Sequence, residues 1–329
     1  MKKLLRLGVT LLCVWGLLTA TGLSTALSLG RAPGLAALSR ETEGETATEA
    51  GTETEPAPVQ TEEDRGLPFL TERQDGAYTI LLAGNDAGTG NTDTIMLGKI
   101  DTINRRMDFV SIPRDCYLPE LSWTPKKLNS VYWTDRLGGG DGIGALEDQL
   151  EKLCGFRPDC YAVVELTVLE QAVDLMGGLD FDLPMDMDYE DPLQDLHIHL
   201  KAGPQHLTGK EAMELCRYRS GYVTGDIGRI QMQQAFLSAA AEQLTDLGKI
   251  PNLPRVAALL AQGSDTDLTA SNLIWLLRQA LRCGAENLHF YTAPHEVRMI
   301  DGYSYALLDD FAWRRLLEEH ISPLAPGRA

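Results

Sequence analysis

Residues 78–86 read YTILLAGND, a run of strand-forming residues that leads into glycine, asparagine and aspartate. A short apolar run that ends in turn-forming residues is typical of a buried strand. Further strands are predicted at residues 94–100, 109–112, 161–164, 179–183 and 288–291. Helices are predicted at residues 144–153, 167–176, 208–216, 227–247, 252–262, 267–281 and 309–320. Strands that alternate with helices in this way predict a layered α/β fold.

The connection after the first strand is rich in glycine and carries two aspartates, Asp86 and Asp93. It is not a phosphate-binding loop of the Gly-Lys-Ser/Thr type, because a strand and not a helix follows it. Two carboxylates that act together with substrate phosphates are the usual protein contribution to a Mg²⁺ site. Aspartate and glycine are also ordinary turn formers, so this segment alone leaves both interpretations open.

A second group of polar residues lies in the later half of the chain. Asp226, Arg229 and Gln233 are spaced by three and then four residues, which puts them on one face of a helix. Arg217 and Arg219 are two residues apart and share one face of an extended segment. Guanidinium groups match phosphate oxygens with two parallel hydrogen bonds, so the group predicts a phosphate or pyrophosphate pocket. A network of surface ion pairs is the alternative that the spacing leaves open.

Arg114 follows the strand at residues 109–112, in the sequence Ser-Ile-Pro-Arg-Asp, and is a candidate for the same anion site. The chain carries a net charge of −18, so clustered arginines are not a general property of its surface. A strongly acidic chain also argues against a nucleic acid as the partner, because nucleic acids are recognised by basic surfaces.

The N-terminal end is typical of a membrane anchor. Residues 7–30 contain no charged side chain, and this stretch of 24 residues exceeds the roughly 20 that span a bilayer. Lys2, Lys3 and Arg6 precede the apolar run, which places the N-terminus in the cytoplasm and the remainder outside. A cleaved signal peptide is the alternative, although its apolar core is normally shorter. We predict a cytoplasmic stub and a transmembrane signal anchor at residues 1–30.

The next segment, residues 31–66, is predicted to be a disordered stalk. Residues 41–64 contain nine acidic side chains, no basic one and almost no large apolar one. Such a segment cannot bury enough apolar surface to fold, and its like charges keep it extended. The remaining residues, 67–329, are long enough for one large domain, which the anchor would place outside the cell.

The motifs described so far resemble the LytR-CpsA-Psr family of cell-envelope proteins. The resemblance extends from about residue 79 to residue 234 and rests on nine motifs in sequence order. These motifs are Gly84-Asn85-Asp86, Thr92-Asp93-Thr94, Ser111-Ile112-Pro113-Arg114-Asp115, Lys127-Leu128-Asn129, Gly138-Gly139, Gly177-Gly178-Leu179-Asp180, Gly203-Pro204-Gln205-His206-Leu207, Arg217-Tyr218-Arg219, and Gly225-Asp226 with Gly228-Arg229 and Gln233-Gln234.

The resemblance implies a three-layer α/β/α sandwich with a mixed central sheet and an apolar groove for a lipid. It also implies a phosphotransferase, which moves an anionic glycopolymer of the teichoic acid or capsule type from polyprenyl pyrophosphate to a peptidoglycan hydroxyl. The product of this reaction is a phosphodiester. The apolar walls of the groove could come from residues 273–277 or from residues 173–176, although core packing is the favoured role for each of these residues.

The resemblance also implies roles for individual residues. Asp86 and Asp93 would hold Mg²⁺, with Mn²⁺ as an alternative ion. Asp226 would orient the arginines or contact a water of the metal. Asp93 and Asp226 are candidates for the general base, but a carboxylate bound to Mg²⁺ is a poor base, and no residue is assigned to this role. The catalytic set would be Arg114, Arg217, Arg219, Asp226 and Arg229, and the pyrophosphate would be bound by the same four arginines with Gln233.

The chain departs from the family pattern at Asn91 and Met232, where many members have arginine. The loss of these two cations would weaken binding of the β-phosphate. Arg105, Arg106 or Lys99 are candidates to replace the lost positive charge. Two alternative functions follow. One is a hydrolase of polyprenyl or nucleotide pyrophosphates, and the other is an envelope regulator that binds a lipid pyrophosphate without chemistry.

Overall fold

The computed structural model describes residues 30–35, 70–85, 90–192, 196–218, 221–222, 226–243 and 250–326. Residues 1–29 of the predicted anchor and residues 36–66 of the predicted stalk therefore lie outside the described residues. Within the described ranges, no helix combines the length and the apolar character that a membrane crossing requires. The anchor and the stalk stay predictions.

Each strand and helix predicted from the sequence has a counterpart in the described residues, with ends shifted by a few residues, whereas eight further strands and one further helix were not predicted. The strands are β1 Leu70–Arg73, β2 Ala77–Asn85, β3 Thr92–Asp101, β4 Arg106–Ser111, β5 Cys160–Glu165, β6 Leu179–Leu183, β7 Met187–Asp191, β8 Leu196–Leu200, β9 Gly203–Leu207, β10 Asp265–Thr266, β11 Leu288–Thr292, β12 His295–Ile300, β13 Tyr303–Leu308 and β14 Leu324–Pro326. The α-helices are α1 Val131–Leu137, α2 Ile143–Cys154, α3 Leu166–Leu175, α4 Gly209–Arg217, α5 Asp226–Gln243, α6 Leu253–Gly263, α7 Ala270–Cys283 and α8 Asp310–Leu316. The helix end predicted at residue 247 lies outside the described residues.

A mixed sheet of six strands forms the centre of the domain, in the order β10–β5–β2–β3–β4–β11. β2 is parallel to β5 and β4 is parallel to β11, whereas β3 is antiparallel to both of its neighbours. β2, β4, β5 and β11 therefore end at the side of the sheet where β3 begins. We call this side the upper edge, and it is marked by Asn85, Thr92, Ser111, Glu165 and Thr292.

Both faces of the sheet are covered, because successive residues of a strand point to opposite sides. On one side, Leu81 of β2 packs in an apolar cluster with Leu146 of α2 and Trp313 of α8. On the other side, Ile80 packs with Trp275 of α7. We call these sides the Leu81 face and the Ile80 face. The arrangement of helices, sheet and helices confirms the expected sandwich with a mixed central sheet.

A third apolar cluster joins α3, α4 and α5 to two antiparallel strand pairs, β6–β9 and β7–β8. The start of α4 is set by a capping box, in which the Thr208 side chain accepts a hydrogen bond from the Glu211 amide and the Glu211 side chain accepts from the Thr208 amide. Since α4 begins at this box, its last residue, Arg217, is carried to the upper edge of the sheet.

Residues 30–35 comprise the last residue of the predicted anchor and the first five of the predicted disordered stalk. Unlike a disordered segment, they lie against the first turn of α7. The Arg31 amide donates to the Ser271 carbonyl at 3.1 Å, and Asn272 Nδ2 donates to the Arg31 carbonyl at 3.0 Å. The side chain of Pro33 is buried. The chain that leaves the predicted anchor is thus attached to the helical layer of the Ile80 face.

A buried ion pair joins β1 to the sheet. The guanidinium of Arg73 contacts Asp159 Oδ2, and the same oxygen accepts hydrogen bonds from Thr79 N at 2.7 Å and Thr79 Oγ1 at 2.9 Å. The Asp159 side chain has no exposed surface, and that of Arg73 is 16% exposed. Loss of either partner would leave a charge without its counter-charge in a largely dry environment.

We expect Asp159→Ala to lower the free energy of unfolding by about 3–5 kcal/mol, because it leaves the Arg73 guanidinium without its counter-charge. Urea unfolding followed by circular dichroism measures the change. Asp75→Ala removes an exposed carboxylate in the turn between β1 and β2 and should cost less than about 0.5 kcal/mol. Equal losses in the two variants would contradict the structural role of the ion pair.

Candidate functional site

The upper edge of the sheet brings the predicted anion-binding residues together. Asp93 lies at the start of β3, and Arg114 lies three residues beyond the end of β4. Because these strands are neighbours, Arg114 Nη1 lies 2.6 Å from Asp93 Oδ1. Arg229 and Gln233 approach from α5, and Arg217 from the end of α4. Residues distant in sequence therefore meet at one place.

Arg229 is deeply buried, with 2% of its surface exposed. Its Nη2 lies 2.7 Å from Asp226 Oδ1, one helical turn earlier, and donates to the Asp93 carbonyl oxygen at 3.3 Å. Arg114 Nε lies 3.6 Å from the same Asp226 oxygen. A guanidinium withdrawn from water needs such counter-charges. The ion pairs therefore hold α5 against the start of β3.

The guanidinium of Arg114 stays protonated. Burial by itself would lower the pKa of its guanidinium, but the carboxylates of Asp93 and Asp226 outweigh this effect and raise the pKa. The neighbouring Asp115 forms an ion pair with Lys127, whose Nζ lies 3.1 Å from Asp115 Oδ1. Arg114 is thus a permanent cation beside the cavity described below.

Gln234 has a role that its sequence context did not reveal. Its Nε2 donates to Ser111 Oγ at 2.9 Å and to the Tyr291 carbonyl at 2.8 Å, at the ends of β4 and β11. These hydrogen bonds hold α5 across the upper edge. Arg229 and Gln233, on another face of the helix, line the cavity as a result. The sequence shows a second glutamine directly after Gln233, but only the fold shows what the side-chain amide of Gln234 contacts.

The anion-binding groups stand at one end of a cavity of about 340 Å³ on the Ile80 face. Asp93, Arg217 and Arg229 supply its charged groups, and Asn85 and Gln233 supply its amide groups. Its apolar walls come from α3, β8 and α5, through Leu166, Leu169, Leu196, Phe236 and Leu237. A cavity that is charged at one end and apolar along its walls suits an amphiphilic ligand with an anionic head group.

The residues considered for the apolar walls are not among the described residues that line the cavity of the anion site. Leu273, Leu276 and Leu277 line a separate apolar pocket of about 220 Å³, which lies on the same face of the sheet beneath α7. Val173 is buried in the third apolar cluster, and neither Leu175 nor Met176 is among the described residues that line the first cavity. Apolar residues on amphipathic helices look alike in sequence, and only their packing decides which of them border a cavity.

Met232 points away from the cavity. Its side chain is 6% exposed and belongs to the third apolar cluster, whereas Arg229 and Gln233 of the same helix line the cavity. The side chain at position 232 therefore packs in an apolar cluster in this chain and does not contribute to the cavity. Asn91 directly precedes β3, beside Asp93.

The expected compensation by other cations is wrong for Lys99 and Arg106. Lys99 Nζ donates to the Ser322 carbonyl at 3.3 Å, and Arg106 pairs with Asp108 at 2.7 Å. Lys99 lies six residues beyond Asp93 on the extended strand β3, which is roughly 20 Å away. Arg105 precedes β4 at the same far end of the sheet.

Asp86 and Arg219 lie outside the described residues, so their predicted roles stay predictions. Asp93 fits the proposed metal chemistry, because its carboxylate is 20% exposed and borders the cavity. Among the described residues, no group of three or more His, Cys, Asp or Glu side chains is arranged to hold a metal ion. Mg²⁺ does not require such a group, since one or two carboxylates and substrate phosphates suffice.

The chain belongs to the LytR_cpsA_psr family, whose model matches residues 37–320. It is 31% identical over 206 residues to the regulatory protein MsrR of Staphylococcus aureus, covering 61% of this chain and 59% of MsrR. It is 26% identical over 183 residues to TagV of Bacillus subtilis, a polyisoprenyl-teichoic acid–peptidoglycan teichoic acid transferase, covering 54% of this chain and 45% of TagV. The chain thus spans less than two thirds of either relative.

Solved structures share the fold. The crystal structure of Bacillus subtilis TagV superposes with a TM-score of 0.63 at 22% identity, over 75% of this chain and 98% of that one. The structure of TagT bound to LI-WTA superposes with a TM-score of 0.60 at 19% identity, over 74% and 89% of the two chains. The expected family and its mixed α/β fold are confirmed.

We expect Gln234→Ala to lower the free energy of unfolding by about 1–3 kcal/mol, because the Tyr291 carbonyl and the Ser111 hydroxyl lose their shared donor. Thermal unfolding measures the loss. Gln231→Ala, at an exposed glutamine of the same helix, is the matched control and should change the stability by less than about 0.5 kcal/mol. A Gln234 variant as stable as the control would show that α5 is held without this contact.

Proposed function

We propose that this protein is a phosphotransferase that moves an anionic glycopolymer from polyprenyl pyrophosphate to peptidoglycan and forms a phosphodiester. One observation carries the proposal: Arg217 and Arg229 line a largely apolar cavity, and Arg114 is bound to Asp93 at its border. A polyprenyl pyrophosphate has the matching shape, with an anionic head and an apolar tail. Membership of the family and the likeness to TagV support the same reaction class.

The arginines would recognise the pyrophosphate and stabilise the transition state. The described residues of the anion site and its ion pairs comprise four cations and three carboxylates, namely Arg114, Arg217, Arg229 and Lys127 with Asp93, Asp115 and Asp226. Arg219 is proposed to add a further cation. Phosphoryl transfer depends mainly on positioning and on cations near the developing charge. The guanidinium groups would neutralise the leaving polyprenyl phosphate, while Asp226 holds Arg229 and Arg114 in place.

Asp93, together with Asp86, is proposed to hold Mg²⁺, with Mn²⁺ as an alternative ion. When bound, the ion supplies positive charge to the phosphate oxygens. Asp93 already lies 2.6 Å from Arg114, so the carboxylate that would bind the metal and the guanidinium that would bind phosphate are adjacent. This adjacency is what a joint site for a metal and a pyrophosphate requires.

The proposed setting is the cell membrane, with a single span, the N-terminus in the cytoplasm and the catalytic domain outside. The donor would be a glycopolymer of the teichoic acid or capsule type, and the acceptor a sugar hydroxyl of peptidoglycan. The apolar run at residues 7–30 supports the anchor. The attachment of residues 30–35 to α7 would hold the domain close to the membrane that contains its lipid substrate.

A second candidate function is an envelope regulator that binds lipid pyrophosphate without chemistry. Asn91 and Met232 favour it, because both replace arginines that many family members have and because Met232 is turned into an apolar cluster. The name of MsrR as a regulatory protein is in line with this candidate. A pyrophosphohydrolase, with water as the acceptor, is distinguished by the same experiment.

We expect the full chain in detergent micelles to transfer label from a radiolabelled polyprenyl-pyrophosphate glycopolymer to peptidoglycan oligomers when Mg²⁺ is present. Asp93→Asn and Arg229→Lys should each lower the rate by about 100-fold or more. The first removes a negative charge from the site, and the second removes the paired hydrogen-bond donors of a guanidinium group. Arg315→Lys, at an exposed arginine of α8, is the matched control and should leave the rate unchanged. Retained lipid binding without transfer would establish the regulator, and phosphate release without acceptor would establish the hydrolase.

Removal of divalent ions with EDTA should abolish transfer, and added Mg²⁺ or Mn²⁺ should restore it, because substrate phosphates and two carboxylates form a typical Mg²⁺ site. The wild-type chain is measured in the same transfer assay, with Asp93→Asn as the variant in which restoration should require higher Mg²⁺. Full activity in EDTA would show that the arginines alone carry the reaction.

A further inference from the structure

A second pocket opens at the upper edge, on the Leu81 face of the sheet. Its volume is about 540 Å³, and its walls come from α1, the end of β5 and the segment from α6 to β10. Trp133, Asp141, Glu165 and Gln262 are among its lining residues. None of these four belongs to the anion site described above.

The two pockets meet at one residue. Asn85, the last residue of β2, lines both the cavity that holds the arginines and this second pocket. Gly84 lines the first cavity and Val163 the second, in keeping with the alternation of side chains across the sheet. A molecule in the second pocket would therefore approach the pyrophosphate site from the opposite face. In a phosphoryl transfer the attacking and leaving oxygens lie roughly in line, so an acceptor is needed on such an opposite side.

Trp133 offers an aromatic surface in this pocket. Its side chain is 38% exposed, and one side of the indole rests on Gly90, where a Cβ atom would collide with the ring. Gly90 has a φ of 71°, so glycine is favoured there for its conformation as well. A rigid, half-exposed indole at the wall of a pocket is a typical anchor for a ligand that has an apolar face.

Two buried polar atoms in the pocket have no hydrogen-bond partner among the described residues, Asn85 Oδ1 and Ser264 Oγ. Both residues line the pocket, and only 8% of Asn85 is exposed. A buried polar atom left without a partner costs about 1–3 kcal/mol, so such atoms normally have a ligand or water to bind. The oxygen of Asn85 can accept a hydrogen bond, and the hydroxyl of Ser264 can donate or accept one.

The charge of the pocket excludes a polyanion. Three carboxylates line it, those of Asp141, Glu165 and Asp265, against one guanidinium, that of Arg136. Arg136 is already engaged, since its Nη1 lies 3.0 Å from Asp265 Oδ2 and donates to the Tyr132 hydroxyl at 2.6 Å. A phosphate-rich chain would be repelled here, whereas an uncharged ligand with many hydroxyl groups would find hydrogen-bond acceptors on three sides.

We propose that this pocket binds an uncharged pyranose ring of the acceptor glycan, with the ring stacked on Trp133 and its hydroxyl groups bound by Asn85, Glu165 and Gln262. The inference rests on the proposed transferase function and adds the place from which the acceptor enters. Sugar rings combine an apolar C–H face with a rim of hydroxyl groups. The pocket offers the complementary pair, an indole face and a rim of carboxylate and amide groups.

The first test measures glycan binding without turnover. Chitotetraose, an uncharged oligomer of an amino sugar, is titrated into the full chain in detergent micelles and followed by calorimetry. We expect Trp133→Ala to raise the dissociation constant about tenfold or more, and Trp133→Phe to raise it much less. Leu137→Ala is the matched control, because Leu137 lies on the same helix, is 71% exposed and is not among the lining residues.

Gln262→Ala provides a second variant at an exposed residue of α6, in case the loss of Trp133 disturbs the fold. It should weaken chitotetraose binding while the melting temperature stays that of the wild type. Glycan binding that is absent in the wild type, or equal in the wild type, Trp133→Ala and Gln262→Ala, would overturn the proposal. Farnesyl pyrophosphate binding is measured in parallel, so failure of the anion site and failure of this pocket give different results.

The transfer assay then separates the acceptor from the donor. We expect Trp133→Ala to raise the KM for peptidoglycan oligomers and to leave the KM for the lipid-linked donor unchanged. A change in the donor KM alone would assign the pocket to the sugars of the donor and overturn the acceptor assignment. Chitotetraose binding in a chain that transfers nothing would leave the pocket standing and remove the transferase function.

Discussion

The buried guanidinium of Arg229 is the group on which the rest of the site depends. With 2% of its surface exposed, it depends on counter-charges and acceptors such as the Asp226 carboxylate and the Asp93 carbonyl. Asp226 also approaches Arg114, which in turn binds the Asp93 side chain. One network thus connects α5, β3 and the segment after β4. Its cations are positioned before any ligand arrives, which is the condition under which charged groups stabilise a transition state most strongly.

The direction of the strands explains why two pockets meet at one edge. Four strands of the central sheet end at the side where β3 begins, and their side chains alternate between the two faces. The Ile80 face presents the apolar cavity with the arginines, and the Leu81 face presents the acidic pocket with Trp133. Opposite charges on opposite faces suit two substrates of different character, an anionic lipid and an uncharged glycan. Asn85 is the residue at which the two surfaces meet.

Much of the fold could be predicted from local sequence patterns. The run at residues 78–83 is strand β2, and the capping box at Thr208 begins α4 as expected. Arg114, Arg229 and Asp93 could be selected as a group because they stand in recognisable motifs. The walls of the apolar cavity could not, since α3, β8 and α5 contribute to it from three separate parts of the chain. Lys99 was a candidate by composition, but strand length carries it to the far end of the sheet.

The sequence by itself determined the elements, the class of fold and the chemistry of the head-group site, because strand and helix patterns and clustered arginines are local features. The tertiary structure decided which side chains lie next to one another and which of them line a pocket. It turned Met232 into an apolar cluster, made Gln234 one of the contacts that hold α5, and brought Trp133 and Glu165 to the wall of one pocket. These outcomes depend on which helix faces pack against the sheet. Packing is set by contacts between residues far apart in the chain, and no local pattern records it.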